Sequence, residues 1–321
     1  MPEVPSEQIR LVTKVARLYH SHGVRQVDIA QRLHISQSRV SRLLQAAEDQ
    51  GIVRTVVAFP EGVHGELEEE IERRYGLAEV HVVDVAADEE PGLLRDLGEA
   101  MADVVASSLT GVRTIGYTSW SRSLREMVAS LPPVRADVDQ VVELIGDLGP
   151  PAVQHEAARS TQRLAQLTGA TATFLRVPGV VQDARLRSAL LDQDPYARSV
   201  LASLDSIDLA LVGVGTCHIV APLTAGDNFF TEEQLALARG LGAVGEVNLR
   251  FIDAQGERIL TPLDDLVVGV SAEQLRGARR RLAVAGGSSK HAAILATVRG
   301  GWIDGLVTDM WTAEALLAAH D

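Results

Sequence analysis

The spacing of apolar side chains divides the chain into a short helical head and a long alternating body. Over residues 6–51 the apolar positions recur at intervals of three and four, as they do along one face of a helix. Three helices are expected there. The first runs over residues 6–21, with Ser6 as N-cap, Gly23 as terminator and Ile9, Val12, Ala16 and Tyr19 on one face. The second spans about 26–33, with Ile29, Ala30 and Leu33 turned inward. The third begins after Ser36, again a good N-cap, and continues to Gln50, where Gly51 ends it.

Ala30 is small where two helices would cross closely, Ile35 occupies the intervening turn, and Val40 and Leu43 plug the third helix onto the second. This is the apolar pattern of a helix-turn-helix over residues 24–50, whose second helix enters the major groove. Gln37, Ser38, Ser41, Arg42 and Gln45 remain on the outer face. Gln and Arg can form paired hydrogen bonds with base edges, whereas Ser, Arg39 and the N-terminal amides suit phosphates. Gln26, opening the second helix, joins them as a candidate DNA contact. His34 stands at the turn position that Gly usually occupies, so a non-Gly residue is expected to take a positive φ there, at some cost. Residues 52–59 alternate toward a strand ended by Pro60, which would form a wing with Arg54 near the DNA backbone.

The body starts with an acidic helix around 66–72, Leu67 and Ile71 lying four apart, closed near Gly76. It reads as a connector whose carboxylates form a solvated face. Short apolar strands follow at 80–85, 114–117, 141–145, 173–177, 209–214, 249–252, 267–270, 282–285 and 305–308. Helices are expected at 93–108, 121–130, 155–167, 231–239, 289–299 and 312–319. This alternation implies an α/β fold with a doubly wound, mainly parallel, Rossmann-like sheet behind the small all-α head. The expected division is a winged helix-turn-helix at 1–59 and an effector-binding and oligomerisation domain at 60–321.

Ligands of such sheets lie beyond the carboxyl ends of the strands, where helix N-termini point. That rule selects the loop Thr118, Ser119, Trp120, Ser121, Arg122, Ser123, rich in hydroxyls and bearing one cation, which suits a phosphate or a polyhydroxylated sugar. It also selects residues 285–290, whose glycines allow close backbone approach and whose Lys290 could reach an anion. Gly215, in the Gly-x-Gly of residues 213–215, and Asp309 complete the set. Asp309 would either accept from sugar hydroxyls or cap the helix starting near Thr312. Cys217 and His218 have no partner base or acid at a motif spacing and read as lining or core.

Charge changes the picture. A net charge of −13 argues by itself against nucleic acid. Residues 1–58, however, hold eight Lys/Arg against five Asp/Glu, and the remaining 263 hold 22 against 38. A basic head on an acidic body can approach a phosphate backbone with one face only. The chain is 46% hydrophobic, enough for a sizeable core, yet only 4% aromatic, so aliphatic side chains and Ala supply the packing. Its single cysteine cannot form an intrachain disulfide, which fits a reducing cytosol. No apolar run approaches the roughly 20 residues of a membrane span, and no targeting segment is visible. The nine His show no HExxH and no pairing with Cys, so no metal is expected. There is no GxGxxG after a strand, no phosphate-binding GxxxxGK[ST] and no GxSxG, so neither a cofactor nor a catalytic residue is expected.

The chain resembles the SorC family of bacterial transcriptional regulators over nearly its whole length. The resemblance is carried by residues 35–44, Ile-Ser-Gln-Ser-Arg-Val-Ser-Arg-Leu-Leu, followed by Gly51-Ile52-Val53, and by Gly242-Ala243-Val244-Gly245-Glu246 leading to residues 251–256, Phe-Ile-Asp-Ala-Gln-Gly. Its most specific part is residues 285–290, Ala-Gly-Gly-Ser-Ser-Lys, then Leu306-Val307-Thr308-Asp309 with Thr312-Ala313. It implies a winged helix-turn-helix fused to a sugar-binding domain related to sugar-phosphate isomerases and deaminases. It further implies a homodimer or homotetramer on a palindromic operator, responding to a sugar or sugar phosphate through the loop 118–123, Gly215, Lys290 and Asp309. Two departures stand out: Ser121 replaces the family's usual Gly, and Ile145 and Asp147 stand where a polar or basic residue and a second Gly are common. Asp147 near a phosphate would repel it, which leaves an unphosphorylated sugar or polyol open. The leading expectation is thus a cytoplasmic, ligand-controlled DNA-binding regulator. The alternative, a sugar-phosphate isomerase or deaminase-like enzyme with an added DNA-binding head, rests on the fold relationship alone.

Overall fold

The computed structural model describes residues 7–53, 62–85, 92–221, 223 and 228–319. The chain divides into two compact units, Met1–Pro60 and Glu61–Asp321.

The first unit contains α1 (Glu7–Ala16), prolonged by a π-helical turn at Arg17–Ser21, then α2 (Gln26–Leu33) and α3 (Gln37–Asp49). Its core joins Val12, Val15, Ala16 and Leu18 to Ile29 and Ala30 of α2 and to Val40, Leu43, Leu44 and Ala47 of α3. The expected face of the first helix needs correction. The buried stripe is centred on Val15, so Ile9 and Tyr19 fall outside it and are exposed. Ser36 caps α3, its Oγ accepting from the Arg39 N–H at 3.3 Å. His34 closes α2 at φ 55°, ψ 41°, and the Ile35 N–H returns to the Ala30 carbonyl at 3.0 Å. Of the expected wing strand only Ile52 and Val53 are described; residues 54–59 lie outside the described residues.

The second unit is a three-layer α/β body. Its strands are β1 (Glu79–Val83), β2 (Thr114–Tyr117), β3 (Gln140–Glu143), β4 (Thr171–Thr173), β5 (Leu209–Gly213), β6 (Gly245–Val247), β7 (Arg250–Ile252), β8 (Arg280–Val284) and β9 (Gly305–Asp309). Seven of them form one sheet in the order β1-β9-β8-β5-β2-β3-β4, every pairing parallel. The helices are α4 (Gly65–Tyr75), α5 (Gly92–Ser108), α6 (Arg122–Ser130), α7 (Pro151–Thr168), α8 (Ala184–Gln193), α9 (Pro195–Ser203), α10 (Glu232–Gly240), α11 (Ala272–Gly277), α12 (His291–Arg299) and α13 (Met310–Ala318). Alternate side chains of β5 serve opposite faces. Leu209 and Leu211 pack with Leu97 and Met101 of α5, Leu124 of α6 and Leu164 of α7. Ala210 and Val212 pack with Val200 of α9, Leu235 of α10, Leu275 of α11, Ile294 of α12 and Leu316 of α13. The sheet is therefore doubly wound.

Several expected elements shift. The apolar run 267–270 is no strand: it is buried and makes only isolated bridges, Val267 to Val180 and Gly269 to Ile145. A short, wholly apolar run carries no period that would tell a covering segment from a sheet strand. Strand β4 sits at 171–173 rather than 173–177. The separate hairpin β6–β7 was legible only in its second half. The acidic helix α4 is more than a solvated connector. Ile71 is buried in the core, and the carboxylates of Glu68 and Glu72 accept from the outward N–H groups of Val82 and Val80 at 2.9 and 2.8 Å. Since β1 is an edge strand, these two side chains cover ladder donors that no neighbouring strand reaches.

Candidate functional site

The sheet reverses direction at its centre. From the adjacent pair β2 and β5, the chain continues to β3 and β4 on one side and to β8 and β9 on the other. The carboxyl ends of such a pair diverge and leave a crevice where the two following loops separate. Here the loops after β2 and β5 line one cavity together with Lys290, which follows β8. Of the loop 118–123, Thr118, Trp120, Ser121, Arg122 and Ser123 reach it, as do Gly215 and Arg125. The N-terminus of α6 opens among them, with its amide dipoles directed at the cavity mouth.

The third side of the cavity comes from the β6–β7 hairpin. Gly215 and Glu246 exchange backbone hydrogen bonds at 3.0 and 2.9 Å, which fastens the hairpin to the loop after β5. A Cβ on Gly215 would meet Glu246 Oε1 at 1.7 Å, so only glycine permits the carboxylate to lie there. Glu246 is buried, accepts from the Leu249 N–H, and shares the cavity with Lys290, whose Nζ donates to the Val214 carbonyl at 2.9 Å. Burial pushes the Glu246 carboxyl up to about 7, against the opposing pull of the Leu249 N–H and the Lys290 charge. Thr118 Oγ1 donates to Asn248 Oδ1 at 2.8 Å, tying the hairpin to the loop after β2. Sequence reasoning assigned no role to Glu246 or Leu249. Glu246 was visible only as part of a family motif, and its approach to Lys290 depends on a hairpin whose first strand has three residues.

The remaining wall is apolar and aromatic: Leu94, Val153, Leu223, Phe229, Leu235 and Phe251. Cations and hydroxyls at one end, a carboxylate beside an amine, and a C–H-rich wall form a site able to orient a small polar molecule with one apolar face.

Ser119 and Asp309 do not line this cavity. Asp309 is wholly buried and engaged: Oδ1 accepts from the Thr312 N–H at 2.8 Å, and Oδ2 accepts from Thr312 Oγ1 at 2.7 Å and from the Gly287 N–H at 2.8 Å. It caps α13 and braces the loop that carries Lys290, so the capping alternative describes its geometry. Asp147 also lies outside the cavity, and its carboxylate is paired with Arg176 at 2.7 Å. The repulsion it was expected to exert on a phosphate is thus balanced at its source. His218 lines the cavity, whereas Cys217 is buried, its thiol pushed up to about 12 by burial.

In the first unit, Gln37, Ser38, Ser41, Arg42 and Gln45 form the exposed side of α3. Arg42 Nε donates to the Ser38 carbonyl at 3.3 Å and Gln45 Nε2 to Asp49 at 3.1 Å, which preorders both side chains along the helix. Arg39 is exposed and, together with Arg42, lines a groove against Glu7, Gln8 and Leu11 of α1. Gln26 is half-buried in the first turn of α2.

Residues 63–318 match the family model described as "Putative sugar-binding domain". Over 311 residues the chain is 30% identical to the deoxyribonucleoside regulator of Bacillus subtilis, covering 97% of this chain and 98% of that one. It is 29% identical to the sorbitol operon regulator of Klebsiella pneumoniae, covering 97% and 99%. The crystal structure of the full-length sorbitol operon regulator SorC from Klebsiella pneumoniae superposes with a TM-score of 0.69 at 27% identity, covering 97% of this chain and all of that one.

Proposed function

Because the chain belongs to the sugar-binding-domain family of SorC-type transcriptional regulators, we propose that it binds operator DNA through α3 and releases or engages it in response to a small carbohydrate. The observation that carries the effector half of this reading is the convergence of the loops after β2, β5 and β8 on one cavity at the reversal of the sheet. The effector is a sugar, polyol or sugar phosphate. Arg122, Arg125 and the α6 N-terminus would take its anionic or hydroxyl-rich end, and Lys290 with Glu246 would read the other.

On the DNA side, Arg42 and Gln37 would contact base edges, while Ser38, Ser41, Gln45, Arg39 and Gln26 would position the head against phosphates and neighbouring bases. The functional particle would be a homodimer or homotetramer on a palindromic site, with residues 1–59 as the DNA-binding part and 60–321 as the effector-binding and assembling part. Effector binding would act by favouring one arrangement of paired heads over another.

The test is binding of the full chain to the duplex upstream of its own gene. Arg42→Ala and Gln37→Ala are expected to weaken binding by about 1–3 kcal/mol each and to relax base preference. If neither affinity nor base preference changes in either variant, α3 is not the reading helix.

A further inference from the structure

Asn248 and Leu249 are the two turn residues of the β6–β7 hairpin, since Val247 pairs with Arg250 as its last rung. Both lie in the left-handed region, at φ 49° and φ 61°. Two successive left-handed residues match the twist of a tight hairpin, and Asn followed by Gly is the pair that adopts them most readily. Asn248 fits that rule. Leu249 breaks it, because a bulky apolar side chain is a rare occupant of positive φ.

The side chain that incurs this strain is not displaced to solvent. Leu249 is 2% exposed and forms part of the cavity wall with Leu235 and Phe251. Its N–H is held by the Glu246 carboxylate, so the turn cannot rotate to relieve the strain without breaking that bond. Strained residues persist where their surroundings over-determine them, and they gather at ligand clamps. Here the strain places an apolar surface in the cavity wall beside its buried carboxylate.

We infer that Leu249 is a specificity-determining residue, and that the effector it selects carries a deoxygenated or methyl carbon where a fully hydroxylated sugar carries an OH. The inference rests on the reading of this cavity as the effector site. A hydroxyl turned onto the Leu249 side chain loses its water and finds no donor or acceptor on that side chain, whereas a CH₂ or CH₃ group fills the same space without that loss.

The experiment titrates the full chain, bound to its operator, with matched pairs that differ by one hydroxyl. These are ribose and 2-deoxyribose, their 5-phosphates, glucose and 2-deoxyglucose, and galactose and its 6-deoxy form. Wild type, Leu249→Gly and Leu249→Asn are compared by thermal shift and by operator binding. The expected result is a preference of about 10- to 100-fold for the deoxy member of at least one pair in wild type. That preference falls below about threefold in L249G and turns toward the hydroxylated member in L249N, where an amide replaces the apolar wall. Asn tolerates the left-handed turn, so L249N decides the matter should L249G not fold. The inference is overturned if wild type prefers hydroxylated members, or if both variants keep the wild-type ratio. If operator binding is normal and no carbohydrate shifts any of the three proteins, the effector reading itself falls and takes this one with it.

Discussion

Asp309 holds Gly287: its Oδ2 accepts the Gly287 N–H at 2.8 Å, joining the end of β9 to the loop after β8. A Cβ on the preceding residue, Gly286, would meet the same oxygen at 2.2 Å, so the approach needs glycine as well as the carboxylate. All three hydrogen bonds at Asp309 run toward it, from two N–H groups and one hydroxyl. Asp309→Asn puts an amide N–H against one of these donors. The expected cost is about 1–3 kcal/mol of stability, read by urea unfolding. Asp309→Asn should also weaken the effector response, because the loop it braces carries Lys290. An unchanged unfolding midpoint would show that the brace carries no weight.

His34 offers the opposite case, a position where the sequence is not the most stable one. At φ 55° a side chain is disfavoured relative to glycine. His34→Gly is expected to raise the stability of the head by roughly 0.5–1 kcal/mol, and His34→Val to lower it. Thermal unfolding followed on the helical signal distinguishes the two; equal midpoints for both variants would contradict the assignment of strain.

Glu246 predicts a pH dependence of definite sign. Its folded value is raised to about 7 from 4.5, so between those values the folded state keeps a proton that the unfolded chain has released. Stability therefore falls as pH rises through that window and levels off above it, by about 3 kcal/mol at 1.36 kcal/mol per unit. Glu246→Gln should remove this slope. Unfolding curves at pH 5 and pH 7.5 test it: wild type and variant should diverge, and parallel behaviour would refute the assignment.

Lys290→Ala removes a cation that lies beside the cavity rather than in the head. The expected outcome is a response to effector weakened tenfold or more, with operator affinity of the effector-free protein within about twofold of wild type. Loss of operator binding without effector would mean that Lys290 supports the fold instead.

Much of this arrangement was legible in the residues themselves. The head could be read because its helices are amphipathic, and Ser36, His34 and Gly51 mark boundaries by backbone chemistry that acts locally, while Ser6, the expected cap of the first helix, lies outside the described residues. The parallel strands could be read because buried Val, Ile and Leu runs alternate with helices. Tertiary closure left no such trace. That Glu246 and Lys290 line one cavity, that Asp309 faces inward rather than into the cavity, and that Glu68 and Glu72 cover the backbone of β1 depend on segments brought together from distant parts of the chain. A carboxylate has the same place in a sequence whether it meets water, a backbone N–H or a ligand.

Among the described residues strand β1 has one neighbour in the sheet, and that neighbour is β9, the last of the described strands to be made. During synthesis β1 therefore leaves the ribosome more than two hundred residues ahead of β9, the strand it pairs with among the described residues. The three-helix unit has its core within 50 residues and can close at once, while the body waits for nearly the whole chain before its sheet is complete. A nascent or truncated chain is therefore expected to present a finished head on an unfinished body. The two carboxylates of α4 cover the outer edge of β1, so the edge that β9 later pairs stays open through that interval.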